Sequence, residues 1–361
     1  MKALRAILLL LVLAVAGGAA FVWYSIEKPF GTFPSQGVFV EVPHGASKRA
    51  VAHLLKRNGV IRSAIAFELY ARRHPKRSLQ AGEYLFDHAV SGKDVFWKLA
   101  NGEIYEQPFT VKEGETMFDI ARDLDEAKLL KREDFLAAAR NAAQIQDIAP
   151  GATTLEGFLF PATYNLAKRT TAADLVNEMV RKFREAVQQI APERLDPQTP
   201  GTPLLSTITL ASLVEAETPK PEERPLVAGV YTNRLRKGML LQCDPTVIYA
   251  LKLADRYKPP LLLKDLTYNS PYNTYMHAGL PPGPIGNPGE LAIRAAFAPA
   301  PTDFLYFVAN TQGGHFFATT LADHNANVAK YHRLLNGEAA DPPVAETRRA
   351  QAAGSVHKGK K

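Results

Sequence analysis

The chain has 361 residues, of which 46% are hydrophobic and 22% charged, a composition that excludes collagen-like, low-complexity and intrinsically disordered classes for most of its length. Its length predicts two or three domains rather than one core. A net charge of +7 suits an anionic partner such as phospholipid, nucleic acid or an acidic polymer, and equally a generally basic surface.

Residues 1–5, MKALR, carry Lys2 and Arg5 and precede AILLLLVLAVAGGAAFVWY at 6–24, an uncharged run of about 19 residues that is long enough to span a bilayer. The positive-inside rule places residues 1–5 in the cytoplasm and the bulk of the chain beyond the membrane. A cleaved signal peptide is the rival, because AGGAA offers small residues. Cleavable apolar cores run to about 7–15 residues, and Trp23 with Tyr24 reads as an interfacial anchor, so a retained helix is expected. The one cysteine, Cys243, excludes an intrachain disulfide and argues against a cysteine-based metal site.

Residues 25–37 form a linker, rich in Pro and Gly from Lys28 to Gly37. A first small αβ unit follows at 38–106, with an alternating strand, a Gly turn and apolar residues at helical spacing (Val51, Leu54, Leu55). About 69 residues later the pattern returns in FTVKEGETMFDIARDLDEAKLL. Gly45 matches Gly114, Ser47 matches Thr116, Val51 matches Ile120 and Leu55 matches Leu124; the hydroxyl residue after each turn is an expected helix N-cap. The second copy, with the aromatic loop after it, is expected as a unit at 107–165. TVKEGETMFDIARDL resembles the LysM module, which binds N-acetylglucosamine-containing glycans; a strand-turn-helix packing unit that binds nothing fits the same residues.

The segment from Ala81 to Val111 predicts strand, short helix, strand. LEGFLFPATY at 155–164 is an aromatic loop holding Glu156, a carboxylate that needs a partner in such company. Residues 166–336 are expected as a larger mixed α/β domain. Its predicted elements are an amphipathic helix with Leu175, Met179, Val180 and Phe183 on one face, helices at 203–218 and 222–237, a rigid Pro-rich loop in GLPPGPIGNPG, a helix at 289–297, a hairpin with a Gly-Gly turn in FLYFVANTQGGHFFATT, and a closing helix. Residues 337–361 predict a disordered basic tail. The fold class is thus α+β: an N-terminal membrane helix, small LysM-like αβ units and a larger mixed α/β domain.

No GxSxG elbow, Gly-rich phosphate loop or HExxH motif occurs, and the nine histidines lack ligand spacing, so neither cofactor nor metal is expected. Carboxylate chemistry remains, with Glu215, Glu217, Asp244 and Glu156 as candidates among aromatic residues, Asn and Gln. That company suits sugar, since aromatic faces stack on pyranose rings and amides bond hydroxyl and acetamido groups. A helix that spends LLSTITLASLV on burial should not end on Glu215 and Glu217, because its dipole disfavours negative charge there. Glu217 shares a helix face with Leu210, Leu213 and Val214, and Glu215 with Ile208 and Ala211, so periodicity does not choose between them.

The segments LEGFLFPATY, LASLVEAET, VAGVYTNRL, LQCDPTVIYAL, YNTYMHAGLPPGPIGNPG and YFVANTQGGHFFATTLADHN, in this order, resemble the MltG (YceG-like) family of endolytic murein transglycosylases over roughly residues 35–335. The resemblance implies that residues 166–336 are a catalytic domain. It also implies cleavage of the β-1,4 bond between N-acetylmuramic acid and N-acetylglucosamine in nascent peptidoglycan, leaving a 1,6-anhydromuramyl end. One glutamic acid protonates the leaving oxygen and then takes the proton of the C6 hydroxyl, which closes on C1. Glu217-Thr218 resembles the Glu-Ser pair of other lytic transglycosylases, whose hydroxyl supports the acid. Glu217 is therefore the expected catalyst, with Glu215 a supporting acid or the true one. Glu156, Gln242, Asp244, Asn273, Tyr275 and His315 are expected to contact substrate. Peptidoglycan strands, the bacterial inner membrane and wall-synthesis enzymes are the implied partners, with the catalytic domain in the periplasm and no role for nucleic acid. A non-catalytic LysM-type anchor and a hydrolytic muramidase, the latter with Asp244 or Glu156 as second carboxylate, are the competing functions.

Overall fold

The structure is a computed structural model that describes residues 2–195 and 203–336; the expected tail at 337–361 lies outside the described residues. The chain divides into two compact units, Met1–Phe109 with Thr163–Thr171, and Thr110–Ala162 with Ala172 onward.

The first unit opens with α1 (Lys2–Glu27), the helix among the described residues that is long and apolar enough to cross a membrane by length and composition. β1 (Val38–Val42), α2 (Lys48–Arg57), α3 (Ala64–Arg72), β2 (Gly82–Phe86), α4 (Gly92–Asn101) and β3 (Glu106–Thr110) follow. β1 pairs antiparallel with β2, Val38 opposite Phe86 and Val42 opposite Gly82. Alternation then turns Val40, Val42, Tyr84 and Phe86 into one core with Val51, Leu55, Phe67 and Phe96. The expected linker is partly structured. Phe30 exchanges backbone hydrogen bonds with Val90 at 2.9 and 3.2 Å, and Phe33 packs on the core, because two phenylalanines in a Pro/Gly segment still have apolar area to bury.

Both copies of the repeat are present. Gly45 and Gly114 take left-handed φ of 73° and 80°, and Ser47 and Thr116 cap α2 and α5 (Met117–Glu126) through Ala50 and Asp119 amides. Val51, Ile120, Leu55 and Leu124 are fully buried. The second copy is nevertheless not the self-contained unit predicted for 107–165. Its strands, β3 and β4 (Thr163–Ala167), pair with each other and fall almost wholly in the first unit. α5 and α6 (Arg132–Ala139) belong to the second, where α6 packs on α7 (Ala172–Ile190) and buries Phe135 and Leu136.

In the second unit Leu175, Met179, Val180 and Phe183 of α7 are buried as their spacing predicts, with Phe158 edge-on to Phe183 at 5.0 Å between centroids. α8 (Leu204–Glu217) is apolar around most of its circumference and packs on α9 (Arg224–Arg236), α10 (Asp244–Leu253) and α11 (Glu290–Phe297). Gly229 of α9 is obligatory, since a Cβ there would stand 2.6 Å from the Ala300 carbonyl oxygen. β5 (Tyr306–Ala309) and β6 (His315–Ala318) form the predicted hairpin, and α12 (Leu321–Leu335) closes the described chain, capped by Thr320.

Candidate active site

α8 stops at Glu217 because Thr218 turns to an extended conformation (φ −132°, ψ 124°) ahead of Pro219 and Pro221. The two acids of its last turn have different surroundings. Glu215 accepts a hydrogen bond from Arg224 Nη2 at 2.5 Å and from the Gly289 amide at 3.0 Å, and the two paired side chains are only 5% and 6% exposed. Arg224 also reaches Glu113 at 3.3 Å. Burial raises the Glu215 pKa, and the Gly289 amide and Arg224 oppose that rise. The negative charge at the helix end is thus offset by a buried guanidinium.

Among the described residues no Lys or Arg pairs with Glu217 in this way. Its Oε1 accepts a hydrogen bond from the Tyr231 hydroxyl at 2.8 Å, and the Cys243 thiol also bonds the carboxylate. Its surface accessibility is intermediate, yet protein packs densely around the carboxylate. That desolvation pushes its pKa above the ordinary carboxyl value, Cys243 and Tyr231 pull it down, Asp244 raises it and His315 lowers it. Tyr231 and Cys243 are themselves buried and held well above their usual pKa values by desolvation, so they act here as hydrogen-bonding groups.

Of the flanking residues, Asp244 and His315 bear on the Glu217 charge. Asp244, exposed at the first turn of α10 where the helix dipole favours an anion, accepts a 2.5 Å hydrogen bond from the Tyr275 hydroxyl. Gln242 next to it is exposed and holds a left-handed φ of 51°, its backbone N–H donating to the Thr274 carbonyl at 3.2 Å. Arg234 fixes this turn by donating to the Leu240, Leu241 and Leu305 carbonyls. His315 is locked by Glu223, ring Nδ1 to Oε2 at 2.7 Å and backbone amide to Oε1 at 3.0 Å. Phe307 packs edge-on against both His315 and Tyr231, at 5.2 and 5.8 Å.

Two expected substrate contacts lie in the interior. Glu156 is 1% exposed and accepts from the Met117 amide at 3.0 and 3.1 Å and from Asn287 Nδ2 at 2.9 Å; burial pushes its carboxyl up to about 8. Asn273 is fully buried, donates to the Leu266 and Tyr268 carbonyls and accepts from the Tyr275 amide at 2.9 Å. Neither side chain is open to a glycan, and Asn273 serves by orienting Tyr275. Thr218 also differs from expectation. Its hydroxyl bonds the Lys220 amide at 3.2 Å and Glu223 at 3.5 Å, so it shapes the turn, and Tyr231 with Cys243 holds the acid instead. Sequence reasoning missed Tyr231, Cys243, Arg224, Glu223 and Asn287. The legible trace was VYTNRL, whose tyrosine lies one helix away from the acids.

A profile of the YceG-like family matches residues 40–330. The chain belongs to the YceG-like family. This YceG-like protein is 35% identical over 333 residues to a Bacillus subtilis protein named endolytic murein transglycosylase, covering 88% of this chain and 91% of that one. A Streptococcus pneumoniae protein of the same name is 31% identical over 360 residues, which take in 90% of this chain but 64% of the longer streptococcal one. Among solved structures, a YceG-like protein from Listeria monocytogenes superposes with a TM-score of 0.53 at 31% identity, covering 81% of this chain and 99% of that one.

Proposed function

We propose that this protein is an endolytic murein transglycosylase that cuts the N-acetylmuramic acid–β-1,4–N-acetylglucosamine bond of nascent glycan strands without water, leaving 1,6-anhydromuramyl ends, and that Glu217 is its general acid and base. The carrying observation is the contrast between the two acids: Glu215 is tied up by Arg224 and Gly289, whereas Glu217 has a raised pKa and neutral hydrogen-bonding partners. A carboxyl in that setting is protonated closer to neutral pH and can donate to the glycosidic oxygen. As the bond breaks, the oxocarbenium-like charge at C1 is stabilised by nearby dipoles and by the substrate's acetamido group. The Glu217 carboxylate, now stabilised by the Tyr231 hydroxyl, takes the C6 hydroxyl proton while O6 closes on C1. Gln242, Asp244, Tyr275 and His315 border the sugars. The names of the relatives support the substrate class, and α1 supports a single-pass anchor with the catalytic unit beyond the membrane.

Asp244 favours one rival, a hydrolase with Asp244 activating water, because its charge bears directly on Glu217. Mass spectrometry of digested glycan strands separates the two. Wild type should yield anhydro ends and Glu217→Gln should lose about 10²–10⁴ in turnover while still binding glycan. Reducing ends would establish the hydrolase, and an active Glu217→Gln beside a dead Glu215→Gln would reverse the assignment.

A further inference from the structure

Residues 72–77 read RRHPKR, four cations at the end of α3 and just beyond it that the candidate active site does not use; Arg72, the last residue of α3, pairs with Glu68 at 2.7 Å. Arg72, Arg73, Lys76 and Arg77 are all exposed. α3 also turns Ile65 and Leu69, one helical turn apart, outward at 71% and 43% exposure. In water that face has no reason to be apolar, but α3 packs on α1, and α1 is the apolar span. Between them lies a groove of about 780 Å³ walled by Gly18, Ala19, Val22, Trp23 and the acidic Glu27 of α1 and by Leu69 and Arg73. Gly18 leaves room in that wall, since a Cβ there would meet nothing within 4 Å. Two more cations border the same end of α1: Lys28 Nζ stands 5.8 Å from the Trp23 ring centre, and the Arg62 guanidinium 4.5 Å from that of Tyr24.

The geometry points to an anionic phospholipid as the occupant of this groove, one acyl chain lying along Gly18, Ala19 and Val22 and the headgroup phosphate at Arg73. The Ile65–Leu69 face sits in the same leaflet, and the 72–77 turn lies against its surface charge. The apolar wall of the groove is continuous with the lipid-facing surface of α1, and the guanidinium fork matches a phosphate bidentately. Apolar insertion and a basic cluster together are the two signals that hold a surface to an anionic membrane. The inference rests on α1 being a retained anchor.

The test uses the full chain in nanodiscs of phosphatidylcholine with phosphatidylglycerol, with a fluorophore on Phe21→Cys, Ile65→Cys, Leu69→Cys or Leu263→Cys and brominated acyl chains as quencher. Cys243 is fully buried and does not compete for label. Quenching at 65 and 69 should come within about twofold of that at 21, as expected for side chains at the headgroup-acyl boundary, while the label at 263, 87% exposed in the wild-type side chain, stays unquenched. The double variant Arg73→Glu/Lys76→Glu should lower the phosphatidylglycerol-to-phosphatidylcholine ratio of co-purifying lipid by roughly threefold or more. Quenching at 21 without quenching at 65 and 69 overturns the seated face. An unchanged lipid ratio overturns the anionic groove, and an unquenched label at 21 overturns the anchor reading and this inference together.

Discussion

Tyr231 and Asp244 pull the Glu217 carboxyl in opposite directions, and each pull predicts a shift in the pH profile. The Tyr231 hydroxyl stabilises the anion, so Tyr231→Phe should move the alkaline limb of activity to higher pH, and the loss of an orienting bond should lower the rate by about tenfold, equivalent to one hydrogen bond of ~1.4 kcal/mol. The Asp244 charge disfavours the anion, so Asp244→Asn should move that limb to lower pH while anhydro ends still form. Rates of anhydro-end formation measured from acid to alkaline pH read both shifts; limbs that do not move would remove Glu217 as the titrating acid. Glu156 makes a stability prediction of the opposite use. Its folded-state pKa of about 8 lies above the ordinary 4.5, so the folded state binds the proton more tightly than the unfolded chain. Stability therefore falls as pH rises from about 4.5 and levels off above about 8. Glu156→Gln keeps an acceptor for Met117 and Asn287 and should flatten this slope in melting temperatures measured across the interval.

The strap that runs from Pro284 to Gly289 shows the same chemistry on the scale of elements. The Ile285 amide donates to Ser212 on α8. Asn287 Oδ1 accepts from the Gly157 and Leu159 amides, and Nδ2 donates to Glu156 and to the Glu115 carbonyl. Gly289 then meets Glu215. Asn287→Ala strips partners from several buried groups at once and should cost about 3 kcal/mol or more in urea unfolding. Gly286→Ala should cost about 1–3 kcal/mol, because its Cβ would stand 2.6 Å from the Gly114 carbonyl, which as backbone cannot step aside. Much of the fold around this strap was legible. α7 shows a helical stripe, the β5–β6 hairpin has its Gly-Gly turn, and Ser47 and Thr116 mark helix starts. α8 was the exception where it mattered, since nine of its residues are buried and a helix apolar on nearly every side has no periodicity to say where Glu215 and Glu217 point. Asn287 in GLPPGPIGNPG reads as a loop residue, and its six polar contacts depend on segments far away in sequence. Glu156 and Asn273 read as sugar contacts for a related reason: polar residues among aromatics look alike whether they face a ligand or a buried amide.

For the molecule as a whole, the charge asymmetry around α1 predicts orientation. A reporter that is active only in the cytoplasm should be silent when fused after Lys361 and active when fused before Met1, and the reverse pattern would overturn the topology. The net charge of +7 predicts that apparent affinity for anionic wall material weakens as salt shortens the screening length below about 10 Å; an affinity unchanged from low to high salt would show the charge to be incidental. The long reach of Asn287 has a consequence in time. Its side chain closes on Gly157, 130 residues earlier, and on Glu115, 172 residues earlier, and a ribosome adding about 5–20 residues per second makes the turn ahead of α5 wait on the order of 10–30 s for it. Glu156 waits 131 residues for the Asn287 amide and Glu215 waits 74 for the Gly289 amide, so a chain still being made holds these acids without those partners. The strap that fixes Glu156 and Glu215 therefore closes only once the chain has grown past Gly289.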